Sequence, residues 1–142
     1  YLCGSTSEDI VPPIIYRMAK SWARLQSDQG KCKSFDYFFC RQLPGDGCGA
    51  WHSSDLWYVF GTLEGSWRPF TEWDYKLSNA MVDYISNFVK NGNPNGPGLT
   101  EWLPMEKGQN LVMRFGDEDM HMGGVSLAKL TRTMLSKPSV GE

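Results

Sequence analysis

Residues 49–61 read GAWHSSDLWYVFG and contain His52, one of only two histidines in the chain. They follow a glycine-rich loop at residues 43–49, and that loop follows the most strand-like run in the sequence, at residues 35–40. Several hydrolase folds place a general base on a loop that leaves a strand. A loop histidine is nevertheless more often structural than catalytic, because a general base also needs a nucleophile and usually an orienting carboxylate. These residues alone leave the role of His52 open.

Two segments have the pattern of β-strands. Residues 35–41 are aromatic and almost continuously apolar, which predicts a strand covered on both faces. Residues 110–122 have strand-like runs on either side of an acidic turn, which predicts a hairpin. Residues 1–7 are polar and turn-like, and no strand is predicted there. Because two or three strands make a small sheet, we expect residues 35–40 to expose an unpaired apolar edge, as in a fragment of a larger domain.

Helices are predicted from apolar spacing at residues 12–29, 55–60, 71–91 and 125–135. Trp22 occupies a position in the first helix that is expected to face a core. In the short second helix, Leu56, Val59 and Phe60 share one side. Thr71 is the expected cap of the third helix, with acidic residues in the first turn. The fold class is therefore α/β and helix-rich, with one buried strand and a late hairpin.

The chain has 142 residues and a formal net charge of −2, with acidic and basic residues intermixed. This length suits a single domain with a core of its own. The charge balance argues against a nucleic-acid surface and a basic membrane patch, and no apolar run is long enough to cross a membrane. The cysteines are Cys3, Cys32, Cys40 and Cys48. Their spacing matches no zinc or redox pattern, so buried free thiols are expected, while three disulfide pairings stay open in an oxidising compartment.

Three other groups of residues could carry chemistry, and each has a structural explanation. Cys48 is a thiol near His52, but residues 45–49 read GDGCG and lack the G-x-S-x-G pattern of a nucleophile turn. His121 follows the acidic residues 117–119, whose spacing fits neither a calcium loop nor a zinc site, and this predicts a solvated hairpin tip. The six tryptophans could line a sugar or aromatic-ligand surface, although core packing explains most of them. The sequence predicts no metal site and no cofactor.

Residues 49–61 resemble the catalytic-histidine motif of type-B carboxylesterases, the cholinesterase-like branch of the α/β-hydrolases. In that family the motif reads roughly G-A-x-H-x-x-E-L-x-[YF]-V-F-G. Residues 87–96, NFVKNGNPNG, resemble a second block of the family. Residues 102–104 and 111–115 resemble its W-P segment and the late strand beyond it. The three blocks occur in the family's order and span nearly the whole chain, so the resemblance implies an α/β-hydrolase fold and a serine ester hydrolase.

The triad of α/β-hydrolases runs in chain order nucleophile, acid, histidine. The resemblance therefore implies that residues 1–142 are a single C-terminal segment of the domain and that the nucleophile-bearing N-terminal part lies before Tyr1. His52 is then the triad histidine, which takes the serine proton during attack on the ester and returns it to the leaving alcohol. Asp55 stands where the family commonly has Glu and is expected to support the histidine loop. The isolated chain is expected to be inactive.

The implied partners are a small-molecule ester substrate and the missing N-terminal part of the same protein, with no nucleic acid and no membrane. The apolar edge expected at residues 35–40 predicts that the isolated chain forms homo-oligomers, with exchanged helices or strands. A catalytically dead cholinesterase-like adhesion or binding module stays open as an alternative, because the family includes such members. A ligand-binding domain built on the tryptophans would leave the three matching blocks unexplained.

Overall fold

The computed structural model describes residues 2–6, 13–30, 32–106, 108–109 and 111–124. In chain order its elements are β1 (Leu2–Thr6), α1 (Pro13–Asp28), β2 (Phe35–Phe39), α2 (Leu56–Val59), a 3₁₀ turn (Leu63–Gly65), α3 (Glu72–Asn91), β3 (Leu111–Phe115) and β4 (Met120–Gly124). The buried strand, the hairpin and the first three helices are thus present close to their predicted bounds. The helix predicted at residues 125–135 lies outside the described residues.

The strands form one four-stranded sheet in the order β1-β2-β3-β4. β2 pairs in parallel with both β1 and β3, and β4 returns antiparallel to β3. The expectation of an unpaired edge at residues 35–40 is therefore wrong, and the self-association argued from that edge loses its premise. The turn expected at residues 1–7 is also wrong. Pairing with β2 places this small, polar segment in a strand that its composition does not indicate, because strand formation depends strongly on tertiary context.

β2 separates two apolar layers. All five of its residues are buried, as predicted for a strand covered on both faces. One layer contains Phe35, Tyr37 and Phe39 of β2 together with Leu77, Met81 and Tyr84 of α3. The other contains Phe38 of β2, which packs with Tyr16 of α1 and Val112 of β3. Because successive side chains of a strand point to opposite faces, the sheet lies between α1 on one side and α3 on the other.

α3 begins and ends where the sequence predicts. The Thr71 side chain and the Asp74 side chain form a reciprocal capping box at its first turn. Its C-cap is Gly92, which has φ 69° and so adopts the left-handed conformation that glycine tolerates best. The helix directs Leu77, Met81 and Tyr84 into the core. Local capping and apolar spacing therefore account for this element.

The segment after α3 folds back through Asn95. Its side-chain Oδ1 accepts a hydrogen bond from the Trp102 backbone N–H at 2.6 Å, and its Nδ2 donates to the Trp102 carbonyl at 2.8 Å. Gly96 lies so close to Asn87 that an added Cβ would be 2.6 Å from the Asn87 amide nitrogen. The Trp102 ring is 1% exposed and donates from Nε1 to the Asp36 carbonyl at 3.1 Å. Residues 87–96 and Trp102 are thus one structural unit.

Two helices present faces that the sequence did not predict. In α1, Tyr16 and Ala23 are buried, whereas Trp22 is 48% exposed, so the expectation that Trp22 faces the core is wrong. In α2, Tyr58 is buried, whereas Phe60 just beyond the helix is 70% exposed. The short helix has too few residues for its apolar spacing to fix which side is buried. A hydrogen bond from the Tyr58 hydroxyl to Asp74 at 2.6 Å accompanies the observed orientation.

The described cysteines are more accessible than expected. Cys32 and Cys48 are exposed and Cys40 is half-buried, so the expectation of buried thiols is wrong for the first two. Both exposed cysteines lie in connecting segments on the surface. Across the described residues, no helix combines the length and apolar character that a membrane crossing requires.

Candidate functional site

His52 lies on a turn between β2 and α2. The Ser54 backbone N–H donates to the Trp51 carbonyl at 3.0 Å, which closes a four-residue turn around His52 and Ser53. Ser53 has φ 71°, in the left-handed region that non-glycine residues rarely adopt. The His52 side chain is exposed, and none of the hydrogen bonds between described residues involves its imidazole. The backbone therefore presents this imidazole to solvent at the corner of a defined turn.

The loop before His52 is held by contacts of its own. The Leu43 N–H donates to the Gly49 carbonyl at 3.4 Å, and the Cys48 N–H donates to Asp46 Oδ1 at 3.1 Å. Asp46 also forms an ion pair with Arg68 at 2.6 Å. The hydrogen bonds from Arg68, together with the Cys48 N–H, hold the pKa of Asp46 well below its usual range. The glycine-rich segment therefore has a fixed path despite its composition.

Asp55 ties the segment after His52 to the sheet. Its carboxylate Oδ2 accepts a hydrogen bond from the Tyr37 hydroxyl at 2.8 Å, and the residue is only 8% exposed. Its backbone carbonyl accepts from the N–H groups of Tyr58 and Val59 at 3.0 and 2.9 Å. Asp55 thus joins the first turn of α2 to β2. The supporting role of Asp55 for the histidine loop stays a prediction.

The contacts of the other candidate residues are with partners other than His52. The Cys48 thiol contacts the Asp46 carbonyl at 4.0 Å, and no hydrogen bond between described residues joins it to His52. His121 Nδ1 lies 2.9 Å from Asp119 Oδ2, with both side chains at least half exposed, so the predicted solvated hairpin tip is confirmed.

The tryptophans are divided between the core and the surface. Trp102 is fully buried, and Trp57 and Trp73 pack against the main core. Trp67, by contrast, is 72% exposed. The rings of Trp51 and Trp57 meet edge to face at 5.6 Å next to His52. Core packing therefore explains some of these residues, while others lie beside the candidate site.

Two charged residues near the site were not predicted from the sequence. Arg41 binds Asp74 with two hydrogen bonds, from Nε at 2.7 Å and Nη2 at 3.0 Å. Arg68 binds Asp46 and lies over two tryptophan rings. The members of each ion pair are separated by 22 or more positions in the chain. No local pattern marks such a pair, and only an observed covariation or a structure could reveal it.

Solved structures of esterases contain a region with a similar fold. An esterase from Clostridium hathewayi that can hydrolyze aliphatic aromatic polyesters matches 76% of this chain with a TM-score of 0.66 and 26% identity. A PNB esterase matches 86% of this chain with a TM-score of 0.68 and 20% identity. This chain covers only 22% and 25% of those two structures. The described fold is thus similar to one part of an α/β-hydrolase of the esterase class.

The sequence matches the model of a protein family over most of its length. The model of the carboxylesterase family matches residues 10–133, which is most of the chain. This chain therefore belongs to the carboxylesterase family, and the resemblance to type-B carboxylesterases is confirmed.

Individual relatives match shorter shares of the chain. The medium-chain fatty acyl-CoA hydrolase precursor of Anas platyrhynchos is 34% identical over 107 residues, covering 67% of this chain. The bile salt-activated lipase of Rattus norvegicus is 33% identical over 101 residues, covering 68% of this chain. The cocaine esterase of Homo sapiens is 44% identical over 52 residues, covering 36% of this chain. The matches span only 18%, 16% and 9% of the lengths of these three relatives.

Proposed function

We propose that residues 1–142 form the C-terminal segment of a serine carboxylic-ester hydrolase and that His52 is its general base. The observation that carries this proposal is the exposed His52 imidazole on a defined turn after β2, in a chain that belongs to the carboxylesterase family. A general base must be accessible to its nucleophile and held in place by its surroundings. The exposure of His52 supports the first requirement, and the backbone turn closed between Trp51 and Ser54 supports the second.

The proposed reaction transfers an acyl group to water. His52 accepts the hydroxyl proton of the nucleophilic serine as the serine oxygen attacks the ester carbonyl, and it then donates that proton to the departing alcohol. A water molecule then attacks the acyl-enzyme and gives its proton to His52. His52 returns this proton to the serine oxygen as the carboxylic acid is released. The serine, the orienting carboxylate and the donors for the oxyanion come from the remainder of the hydrolase domain. The 142-residue chain by itself is therefore inactive under this proposal.

Asp55 has a supporting role under the same proposal. Its carboxylate is occupied by the Tyr37 hydroxyl, and its carbonyl by two N–H groups of α2. These bonds fix the end of the loop three residues after His52. Asp55 thereby limits how far the imidazole moves, while the proton transfer itself is left to His52.

The proposed substrate class is a small carboxylic ester. The names of the relatives point to different substrates. One is a fatty acyl-CoA hydrolase, one a cocaine esterase and one a lipase that bile salt activates. What these names share is cleavage at an acyl carbonyl, so the proposal extends to that bond and not to a particular acyl or alcohol group.

Hydrolysis of a short-chain aryl ester by the complete protein that contains this chain tests the proposal. His52→Ala should reduce kcat at least a thousandfold, as loss of a triad member does in other serine hydrolases. His121→Ala, which changes the other histidine at a half-exposed position in β4, should keep full activity. Activity that survives His52→Ala would overturn the assignment. A complete protein that binds esters without hydrolysing them would instead support the catalytically dead binding module.

A further inference from the structure

Arg68 contacts the loop that precedes His52. Its Nη1 donates to the Pro44 carbonyl at 2.9 Å and to Asp46 Oδ1 at 2.8 Å, and its Nη2 donates to Asp46 Oδ2 at 2.6 Å. The residue is only 8% exposed although it carries a charge. Paired parallel bonds between a guanidinium and a carboxylate fix orientation as well as distance. Arg68 therefore fastens residues 44–46 in one arrangement.

The same guanidinium lies over two aromatic rings, both from residues that follow the histidine in the sequence. The Arg68 guanidinium carbon is 4.9 Å from the centre of the Trp67 ring and 5.9 Å from that of Trp57. Trp57 in turn meets Trp51 edge to face, with ring centres 5.6 Å apart and planes at 86°. Each of these arrangements is attractive in its own right. The contacts run from Arg68 to Trp51, the residue next to His52.

The loop also packs directly on this aromatic group. Gly45 has φ 115°, and a Cβ added to it would lie 3.0 Å from the Trp67 ring. Asp46 Oδ1 receives the Cys48 N–H as well as the Arg68 guanidinium. The loop before His52 thus contacts the same Arg68 guanidinium as the rings of Trp57 and Trp67, which follow His52 in the sequence.

We propose that Arg68 is a positioning residue for His52, holding the loop before the histidine and the Trp51–Trp57 ring pair that flanks it in one geometry. This inference rests on the proposed role of His52 as general base. None of the hydrogen bonds between described residues involves the imidazole, so its placement within this chain depends on the backbone on either side. A displacement of about 1 Å at a reacting group can cost a hundredfold in rate. Arg68 contributes to catalysis by keeping that backbone still.

Nuclear magnetic resonance of the 142-residue chain tests the positioning without any assay of activity. The chain has two histidines, so His121 serves as an internal reference for His52. In Arg68→Gln, the His52 imidazole signals should shift and report greater motion, while the His121 signals stay unchanged. Arg68→Lys should show most of the same effect, because an ammonium keeps the charge but lacks the planar fork. The matched control Lys76→Gln removes an exposed cation 5.5 Å from the Trp73 ring and should leave both histidines unchanged.

Asp46→Asn gives a milder variant in case Arg68→Gln fails to fold. It keeps the rings and the guanidinium but weakens the paired bonds, and the His52 signals should move in the same direction by a smaller amount. His52 signals identical to wild type in the folded Arg68→Gln or Asp46→Asn variants would overturn the proposal.

Kinetics of the complete hydrolase link the positioning to catalysis. Arg68→Gln should lower kcat about tenfold or more with KM changed less than twofold, and added methylguanidinium should restore part of the loss. An unchanged kcat would contradict a catalytic consequence of Arg68. If His52→Ala proves fully active while Arg68→Gln still moves the His52 signals, the proposed function fails and the structural link between Arg68 and His52 stands. The two failures are therefore distinguishable.

Discussion

The Tyr58 hydroxyl donates a hydrogen bond of 2.6 Å to Asp74 Oδ1 and so joins α2, just after the histidine loop, to the first turn of α3. The same carboxylate accepts two bonds from Arg41, which follows β2, and two from Thr71. The Asp74 side chain is completely buried. Three elements around His52 therefore converge on one carboxylate, and each of its oxygens has more than one donor.

Asp74→Asn should destabilise the chain by about 3 kcal/mol, because removing one partner of a buried ion pair leaves the other charge uncompensated. Urea unfolding at pH 7 measures this change. Asp117→Asn is the matched control, since Asp117 binds the same Arg41 at 3.0 Å from an exposed position. It should cost less than about 1 kcal/mol. A loss equal to that of the control would show that the Asp74 pair adds little stability.

The pH dependence of this contribution follows from the pKa of Asp74. Burial acts to raise that pKa, but hydrogen bonds from Arg41, Tyr58 and Thr71 outweigh it and lower the pKa to about 2. The folded state therefore favours the ionised carboxylate. The resulting stability is present above the unfolded value near pH 4 and is lost as the pH falls towards 2. Wild type should lose this stability in acid, and Asp74→Asn should show a flatter acid limb.

The sequence predicted those parts of the fold whose signals are local. Thr71 and Gly92 mark the ends of α3, and the continuous apolar run at residues 35–39 marks a strand buried on both faces. β1 was missed because Leu2–Thr6 is a strand only by virtue of pairing with β2. The carboxylate at Asp74 was recognised only as a favourable charge in a first turn. Its contacts with Arg41 and Tyr58 depend on how distant segments meet, which periodicity does not encode.

In the candidate site, too, the sequence predicted only the feature that has a local signal. His52 was predicted as the candidate general base from its flanking motif, which is a local signal. Its surroundings in the described residues include Arg68 and Tyr37, whose contacts to residues 44–46 and to Asp55 cross 18 or more positions of sequence. A motif indicates which residue could react. The contacts that hold the residue in place require the fold.

Asp36→Asn should stabilise the chain at pH 8 and remove part of its pH dependence. Asp36 is 2% exposed, and its carboxylate has no side-chain hydrogen-bond partner among the described residues. Burial raises its pKa to about 7, partly offset by the charge of Lys20 and the Tyr37 N–H. The folded state therefore keeps a proton that the unfolded chain has released, and stability falls as the pH rises from about 4 to about 7.

The expected gain for Asp36→Asn at pH 8 is on the order of 2–4 kcal/mol, from about 1.4 kcal/mol for each unit of pKa difference. At pH 4, where the carboxyl is protonated in the folded chain, the two proteins should differ by less than about 1 kcal/mol. Denaturant unfolding at the two pH values measures both quantities. Parallel stability curves for the variant and wild type across this range would contradict the assignment.

The hydrogen bond between Tyr37 and Asp55 should contribute about 1–2 kcal/mol of coupling energy, as expected for a buried bond to a carboxylate. A double-mutant cycle with Tyr37→Phe and Asp55→Asn isolates this term from the cost of each change alone. In the complete hydrolase, both single variants should lower kcat more than they raise KM. A coupling energy near zero would mean that the loop does not depend on this bond.

Ser53→Gly should stabilise the chain by up to about 1 kcal/mol. Ser53 has φ 71°, where a side chain costs about 1–2 kcal/mol, and the greater freedom of glycine in the unfolded chain offsets part of the gain. Ser86→Gly makes the same substitution within the right-handed helix α3 and should destabilise by about 0.5–1 kcal/mol. Ser53→Val should also destabilise, because a β-branched residue tolerates this conformation poorly. Thermal and urea unfolding of the three variants measure these signs. If Ser53→Gly were as destabilising as Ser86→Gly, the left-handed turn would not exist in solution, and His52 would lack the defined corner on which the proposed proton transfer depends.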